Sequence, residues 1–395
     1  MSKGKIYKSE KLVYTDEATG RDIIKLTNSC GWHIIPYFTN TAFTPDSGTI
    51  AFHSNRHGKM DVFTVEIESG KITQLTDLSE NIPAPSLRYL QDGEYHPFIR
   101  CELVSWIDRT VYFYVGNEFR SVNIDTLEEV LLWKIPENLI TGRTHMNSDG
   151  TKLVFPSSDT EIFNISEDQR SRFQHFVWKR VQENTDLSGY LIVLDLETGK
   201  IEEWMREHAW ISHAQFSPLN SNRILYCHEG VWEDVDDRMW MFDRATGKKW
   251  NLRKQTPDVC IGHEIWIPGT ERILYHGWIG DKTLFGFINA DGSDMVEYLA
   301  DSRYYGHFCP NRDGSVLVTD SGIYKDMISL VTFEEGKVVF DPLCRHGSIW
   351  KHPWDHPHPH FSPDGRWIVF NASHSIYNSD IYLVQVPEKF RQGKS

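Results

Sequence analysis

His356-Pro357-His358-Pro359-His360-Phe361-Ser362-Pro363-Asp364-Gly365, followed by the apolar run Trp367-Ile368-Val369-Phe370, is the stretch whose reading decides the fold. In an extended segment alternate side chains share a face, so His356 and His358 can point at one ion. The second half of the stretch, Phe-Ser-Pro-Asp-Gly ahead of a strand-like run, is written elsewhere in the chain as well. The histidines therefore belong to a repeat, and the repeat gives them a place in a fold.

The most complete other copy is Phe43-Thr44-Pro45-Asp46-Ser47-Gly48, followed by strand-like runs Thr49 to His53, Val62 to Glu66 and Ile72 to Thr76. Turn signals at Asn55 to Gly58 and Glu68 to Lys71 separate them, the pattern of a four-stranded antiparallel meander. Related units open near Pro97, at His145-Met146-Asn147, at Phe216-Ser217-Pro218, at Trp266-Ile267-Pro268-Gly269, at Phe308-Cys309-Pro310 and at the stretch quoted first. Seven units of roughly 40 to 55 residues predict an all-β chain: one seven-bladed β-propeller domain over 1–395, with four-stranded antiparallel blades. Gly20 to Thr27 reads as a strand without a preceding hairpin partner. As the outermost strand of the last blade, which ends near Val386, it closes the ring and removes an exposed edge. One segment departs from the pattern. Glu167 to Gln182, with Phe173, Phe176, Val177 and Val181 at helical spacing, predicts a helical insert at about 160–186, either a surface elaboration or a lid over one mouth of the channel.

The formal net charge of −14 argues against nucleic acid, and it requires that any anionic ligand find a local positive site. Fifty-one aromatic residues (14 Trp, 16 Tyr, 21 Phe) suit an all-β chain or a carbohydrate binder. No run approaches the roughly 20 apolar residues of a membrane span, and no leader pattern is present, so the expectation is a cytoplasmic protein away from the membrane. The six cysteines lack CxxC spacing and read as reduced core thiols. Oligomeric state is left open.

In a propeller the first strand of each blade lines the channel, so residues just before it gather at one mouth. His213-Ala-Gln-Phe216-Ser-Pro218, His263-Glu-Ile-Trp266-Ile-Pro268 and His358-Pro-His-Phe361-Ser-Pro363 share the pattern His-x-x-aromatic-x-Pro. His307 precedes Gly314 as His358 precedes Gly365, and His145 holds a similar place in its unit. Taken singly, each is an ordinary hydrogen-bonded residue; five on one rim repel one another if charged, which a shared divalent cation or anion relieves. Imidazoles with oxygen ligands suit manganese, iron, nickel or zinc. A second stretch, Tyr226 to Trp240, is too charged and aromatic for a plain turn; its Arg238 either holds a ligand carboxylate or pairs with Asp236 or Asp237.

Together, Cys227-His228-Glu229-Gly230, Arg238-Met239-Trp240, Gly262-His263-Glu264-Ile265-Trp266, His307 ahead of Asp313-Gly314-Ser315, and His356-Pro-His358-Pro resemble the oligogalacturonate lyases, cytoplasmic seven-bladed propellers of pectin breakdown. The resemblance covers most of the chain and is strongest from His213 onward. It implies β-elimination of short or unsaturated galacturonate oligomers, a small acidic oligosaccharide as partner, and a divalent metal, commonly manganese. It further implies His307, His356 and His358 as metal ligands, His263 as general base and Arg238 beside the scissile unit; His213, His228 and His145 are the substrate-binding candidates. The family glutamine three residues before the first histidine of the His-Pro-His pair is Pro353 here, which cannot ligate, so His352 is favoured for the fourth position over Asp355 or water. That change leaves open a related uronate oligosaccharide as substrate. A non-catalytic propeller, a binding or scaffold protein, is the alternative; it gives the histidine register and Arg238 no purpose.

Overall fold

The computed structural model describes residues 2–78, 99–304, 306–350, 356–375 and 377–391, and it forms seven antiparallel sheets around a ring. Blade 1 runs from His33–Ile34 through Thr49–Ser54 and Asp61–Glu66 to Ile72–Gln74, and blade 2 is Ile99–Val104, Thr110–Val115, Glu118–Asn123 and Glu129–Lys134. Blade 3 is built on Lys152–Asp159, Gly189–Asp195 and Ile201–Glu207, and blade 4 on Ile211–Phe216, Arg223–His228, Met239–Asp243 and Lys248–Arg253. Blade 5 comprises Val259–Trp266, Arg272–Ile279, Lys282–Asn289 and Val296–Ala300. Blade 6 has Phe308–Pro310, Leu317–Thr319, Met327–Glu334 and Lys337–Arg345, and blade 7 has His360–Phe361, Trp367–Ser375 and Asn378–Gln385.

The strands follow their sequence for a simple reason. The middle strands of each blade are covered on both faces by the neighbouring blades, so Thr110-Val-Tyr-Phe-Tyr-Val115 is apolar almost throughout and buried. Outer strands such as Ile201–Glu207 are exposed or half-buried except at one residue, Met205. The repeated turn signature is a hydrogen-bonding device. In blade 1 Thr44 Oγ1 donates to Asp46 Oδ1 at 2.5 Å and accepts the Thr49 N–H at 3.1 Å; in blade 7 Ser362 Oγ donates to Asp364 Oδ1 at 2.6 Å and accepts the Trp367 N–H at 3.0 Å. The closing glycine needs a left-handed backbone, φ 69° at Gly365.

Asp22–Lys25 pairs antiparallel with Asn378–Gln385, Ile24 opposite Leu383, so the ring closes through an early strand on the last blade. That strand does have a hairpin partner, contrary to the sequence reading: Leu12–Thr15 pairs with it, Val13 opposite Ile24. Leu12–Thr15 is exposed along its whole length and therefore carries no hydrophobic alternation to reveal it. Blade 1 likewise gains Ile6–Tyr7, and two short strands, Leu139–Thr141 and His145–Met146, both pair with Lys152–Asp159 in blade 3, so the blades are four- and five-stranded.

Between Lys152–Asp159 and Gly189–Asp195 of blade 3 lie two 3-10 turns, Thr160–Phe163 and Glu167–Arg172, and the helix Phe173–Glu183. Its buried face carries Phe173, Val177, Trp178 and Val181, with Phe176 turned partly outward. All six cysteines are unpaired and five are buried. No helix among the described residues is long and apolar enough to cross a membrane.

Candidate active site

A cleft of about 220 Å³ opens among the inner strands of blades 3 to 7 and the inserted helix. One part of it is a histidine cluster. His307, just before the inner strand of blade 6, and His356 and His358, just before that of blade 7, present ligand-capable nitrogens all within 4.8 Å of one another. Asp320 fixes this arrangement: its Oδ1 accepts the His307 backbone N–H at 2.8 Å, and its Oδ2 lies 2.9 Å from His307 Nδ1 and accepts the His358 N–H at 3.2 Å. With Nδ1 committed, Nε2 is the nitrogen His307 offers to an ion, the usual carboxylate–histidine–metal order. Burial, reinforced by His307, lowers His356 to about 3 and His358 well below its ordinary value, so both are neutral donors. Three imidazoles, a supporting carboxylate and no thiol fit a divalent cation of the manganese-to-zinc series.

Bulges aim the other histidines. The pairing of Val259–Trp266 with Arg272–Ile279 slips between Ile261 and His263, and that of Ile211–Phe216 with Arg223–His228 slips between Ser212 and Gln215. Each inserts one extra residue, which re-aims the side chains beside it. Gly277 opposite the first bulge is obligatory, because a Cβ there would stand 1.7 Å from the Cys260 carbonyl oxygen. His213 and His358 themselves hold φ of 49° and 48°, a strained region for non-glycine residues that costs about 1–3 kcal/mol each.

His263 stacks on His213 (5.8 Å, 7° between planes) and on His276 (5.0 Å), with its Nδ1 3.4 Å from His276 Nε2, and its ring is 4.9 Å from that of His307. Burial first, and then the neighbouring imidazoles, hold its pKa well below 6.5, so it is a neutral proton acceptor. Tyr37 and Phe38 pack beneath the cluster, Tyr37 at 4.9 Å from His358 and Phe38 at 5.6 Å from His263. Arg238 is buried and tied down, but by neither Asp236 nor Asp237: Nε donates to Glu264 Oε2 at 2.9 Å, Nη1 to Glu229 Oε1 at 3.5 Å, and Nη2 lies 3.4 Å from His213 Nδ1. Burial pushes the Glu264 carboxyl up, but Arg238 and His213 outweigh it and hold it down at about 2. The inserted helix completes the wall. Phe173 and Gln174 line the cleft with Trp210 and Trp232, and Gln174 Nε2 donates to Glu229 Oε1 at 3.4 Å.

Of the residues singled out from the sequence, His213, His263, Arg238, His307, His356 and His358 meet in this cleft. His145 and His228 are not among its lining residues. His145 accepts the Phe216 N–H at 3.2 Å and so ties blade 3 to blade 4, while His228 is clasped by Glu207 at 2.9 Å and Asp236 at 3.0 Å. His352, Pro353 and Asp355 lie outside the described residues. The sequence reading missed Tyr37, Arg143, Glu264 and Asp320; Glu264 and Arg143, each adjacent or near to a singled-out histidine, were within its reach, whereas nothing local marks Tyr37 or Asp320.

A family model described as oligogalacturonate lyase matches residues 1–390. The chain is 25% identical to the oligogalacturonate lyase of Dickeya dadantii over 415 residues, covering 99% of this chain and 100% of that one. It is also 25% identical to the oligogalacturonide lyase of Pectobacterium atrosepticum over 398 residues, 95% and 96% of the two chains. Among solved structures, an oligogalacturonate lyase in complex with manganese matches with a TM-score of 0.83 at 22% identity, covering 98% of this chain and 99% of that one, which speaks to the fold. With the family match running over nearly all of its length, the chain belongs to the oligogalacturonate lyase family.

Proposed function

We propose that this protein is a metal-dependent cytoplasmic lyase that cleaves short or unsaturated oligogalacturonides by β-elimination. The observation that carries the reading is the meeting, in one cleft, of the His307–His356–His358 cluster with the neutral imidazole of His263. His307, His356 and His358 would hold the cation, and the manganese complex of a relative makes manganese the first ion to test. Bound there, the cation supplies a Lewis acid that neutralises charge developing on a uronate carboxylate.

The rest falls to the chain. His263 takes the proton from the carbon next to that carboxylate. The bond between the adjacent carbon and the glycosidic oxygen then breaks, the electron pair leaves with the oxygen, which takes a proton from solvent, a carbon–carbon double bond forms in the uronate, and His263 returns its proton to solvent. Arg238, held by Glu264 and Glu229, stabilises the departing oxygen from a fixed position, and His213 lies between the two. A non-catalytic propeller would have no use for a buried imidazole cluster backed by Asp320.

Digalacturonate supplied with manganese should give the ultraviolet absorbance of an unsaturated uronate. His263→Ala should abolish it with the melting temperature unchanged, and Arg238→Lys should reduce it strongly; lysine is chosen because alanine would strand two buried carboxylates. Near-normal turnover by His263→Ala would remove it as the base.

A further inference from the structure

The inserted helix meets Arg238 through one carboxylate. Glu229 Oε1 accepts from Arg238 Nη1 at 3.5 Å and from Gln174 Nε2 at 3.4 Å, while Oε2 accepts from Cys227 Sγ at 3.8 Å. Each of these contacts is long, so none alone fixes the carboxylate and the set orients it. The other carboxylate partner of Arg238 stands on firmer ground: Glu264 lies in the strand Val259–Trp266 and takes Nε at 2.9 Å. The guanidinium plane is therefore set at Nε by a strand residue and at Nη1 by a side chain that leans on the helix.

The helix is built into its surroundings on two sides. Phe173, Val177 and Val181 share a buried cluster with Trp210, whose carbonyl accepts the Glu229 N–H at 2.8 Å. Gln174, His175 and Trp178, with Trp178 at i+4 and i+3 from the other two, meet the connection 229–238 instead. His175 Nδ1 lies 2.5 Å from Asp234 Oδ2, and Asp234 belongs to a turn in which its N–H and that of Val235 both donate to the Val231 carbonyl. Trp178 is buried in a cluster with Val235. Between them runs Gly230 at φ 151°; a Cβ there would stand 2.7 Å from Val235 Cγ2 and 3.4 Å from Trp178 Cβ, so the chain passes the helix only as glycine.

We propose that Gln174 is a positioning residue for Arg238: it holds the Glu229 carboxylate, and through it the Nη1 side of the guanidinium, so that the inserted helix braces the arginine against the departing oxygen. The inference rests on the proposed lyase reading, in which Arg238 acts on that oxygen. An interaction required only as the bond breaks shows in kcat, and small displacements of such a group are costly. A glutamine that touched the substrate directly would show in KM instead.

The test is steady-state kinetics of Gln174→Met on digalacturonate with manganese, since methionine keeps the volume and removes the donor. The kcat should fall about tenfold, the factor for one hydrogen bond to a charged group, with KM within about twofold of wild type. In an Arg238→Lys background the same substitution should cost less than about twofold, because its effect passes through the guanidinium. Manganese affinity, read by chelator competition, should equal that of wild type. Gln174→Glu, which sets a like charge against Glu229, should lower kcat at least as far, and it decides alone should the methionine variant fail to fold. Unchanged kcat, a rise in KM at wild-type kcat, a matching loss of manganese affinity, or losses that simply multiply in the double variant would overturn the inference and leave the lyase reading standing. Inactivity of wild type on digalacturonate would overturn the lyase reading, and this inference with it.

Discussion

Asp320 grips His307 twice, through the backbone N–H at 2.8 Å and through Nδ1 at 2.9 Å, and with the second oxygen it also takes the N–H of His358. One buried carboxylate thus sets the position of two of the three clustered imidazoles and belongs to a different strand connection from either.

Asp320→Asn should therefore weaken divalent-ion binding by about 10–100-fold, the range seen when the outer partner of a ligating histidine is lost. Competition titration with a fluorescent chelator reads this directly. An affinity equal to wild type would mean that Asp320 only pins the backbone.

Ion removal should be visible in stability as well as in content. Protein purified without chelator should carry about one divalent ion per chain, and His356→Ala should carry far less. An ion present at about a hundredfold over its dissociation constant stabilises the fold by about 2.7 kcal/mol, so chelation should lower the melting temperature of wild type and leave that of His356→Ala almost unmoved. Equal shifts in both would argue against the cluster as the ion site.

Glu264→Ala should be strongly destabilising, by about 3–5 kcal/mol in urea unfolding, because it leaves the buried Arg238 facing a single carboxylate, the more distant Glu229. Glu264→Gln keeps a hydrogen-bond acceptor for Arg238 Nε and should cost less. If the two variants unfold alike at wild-type urea concentrations, the pair contributes little to the fold.

His228 offers a pH readout remote from the cluster. Burial pulls its pKa down, but Asp236 and Glu207 outweigh that and raise it above 6.5. A group raised in the folded state adds stability below its unfolded value, and loses it as pH climbs through the folded value. The stability advantage of wild type over His228→Gln should thus be largest below pH 6.5 and shrink on the alkaline side, measured as paired melting temperatures. An advantage that grows with pH would contradict the assignment.

The propeller was legible because its turns are chemical. The Thr-Pro-Asp and Ser-Pro-Asp signatures encode specific hydroxyl–carboxylate bonds at Thr44–Asp46 and Ser362–Asp364, in the opening turns of blades 1 and 7. The grouping of His307 with His356 and His358 was legible because each precedes the turn that opens a blade. The same register also serves the framework. At His145 the position is used to accept a neighbouring blade's N–H, a job His360 repeats toward Ala42 at 3.1 Å, and an imidazole suits that task as well as it suits a metal. Asp320 and Tyr37 were illegible for another reason: Tyr37 meets histidines of other blades, and Asp320 reaches across a hairpin to His307 and over to His358 of the next blade, neither marked by a local spacing. Bulges, too, leave no mark in a strand's pattern, yet they are what turn His213 and His263 into the cleft.

Closing the ring through Asp22–Lys25 has a consequence for the order of events during synthesis. The Thr27 hydroxyl bonds Asp380, 353 positions later, so the early strand must wait for the last blade before it is covered. His356 and His358 arrive with that same blade, whereas His307 has already been made. The His307–His356–His358 cluster and the sealing of the ring are therefore both completed late. A chain stopped short of blade 7 lacks two of the three clustered imidazoles together with the strands that seal the ring.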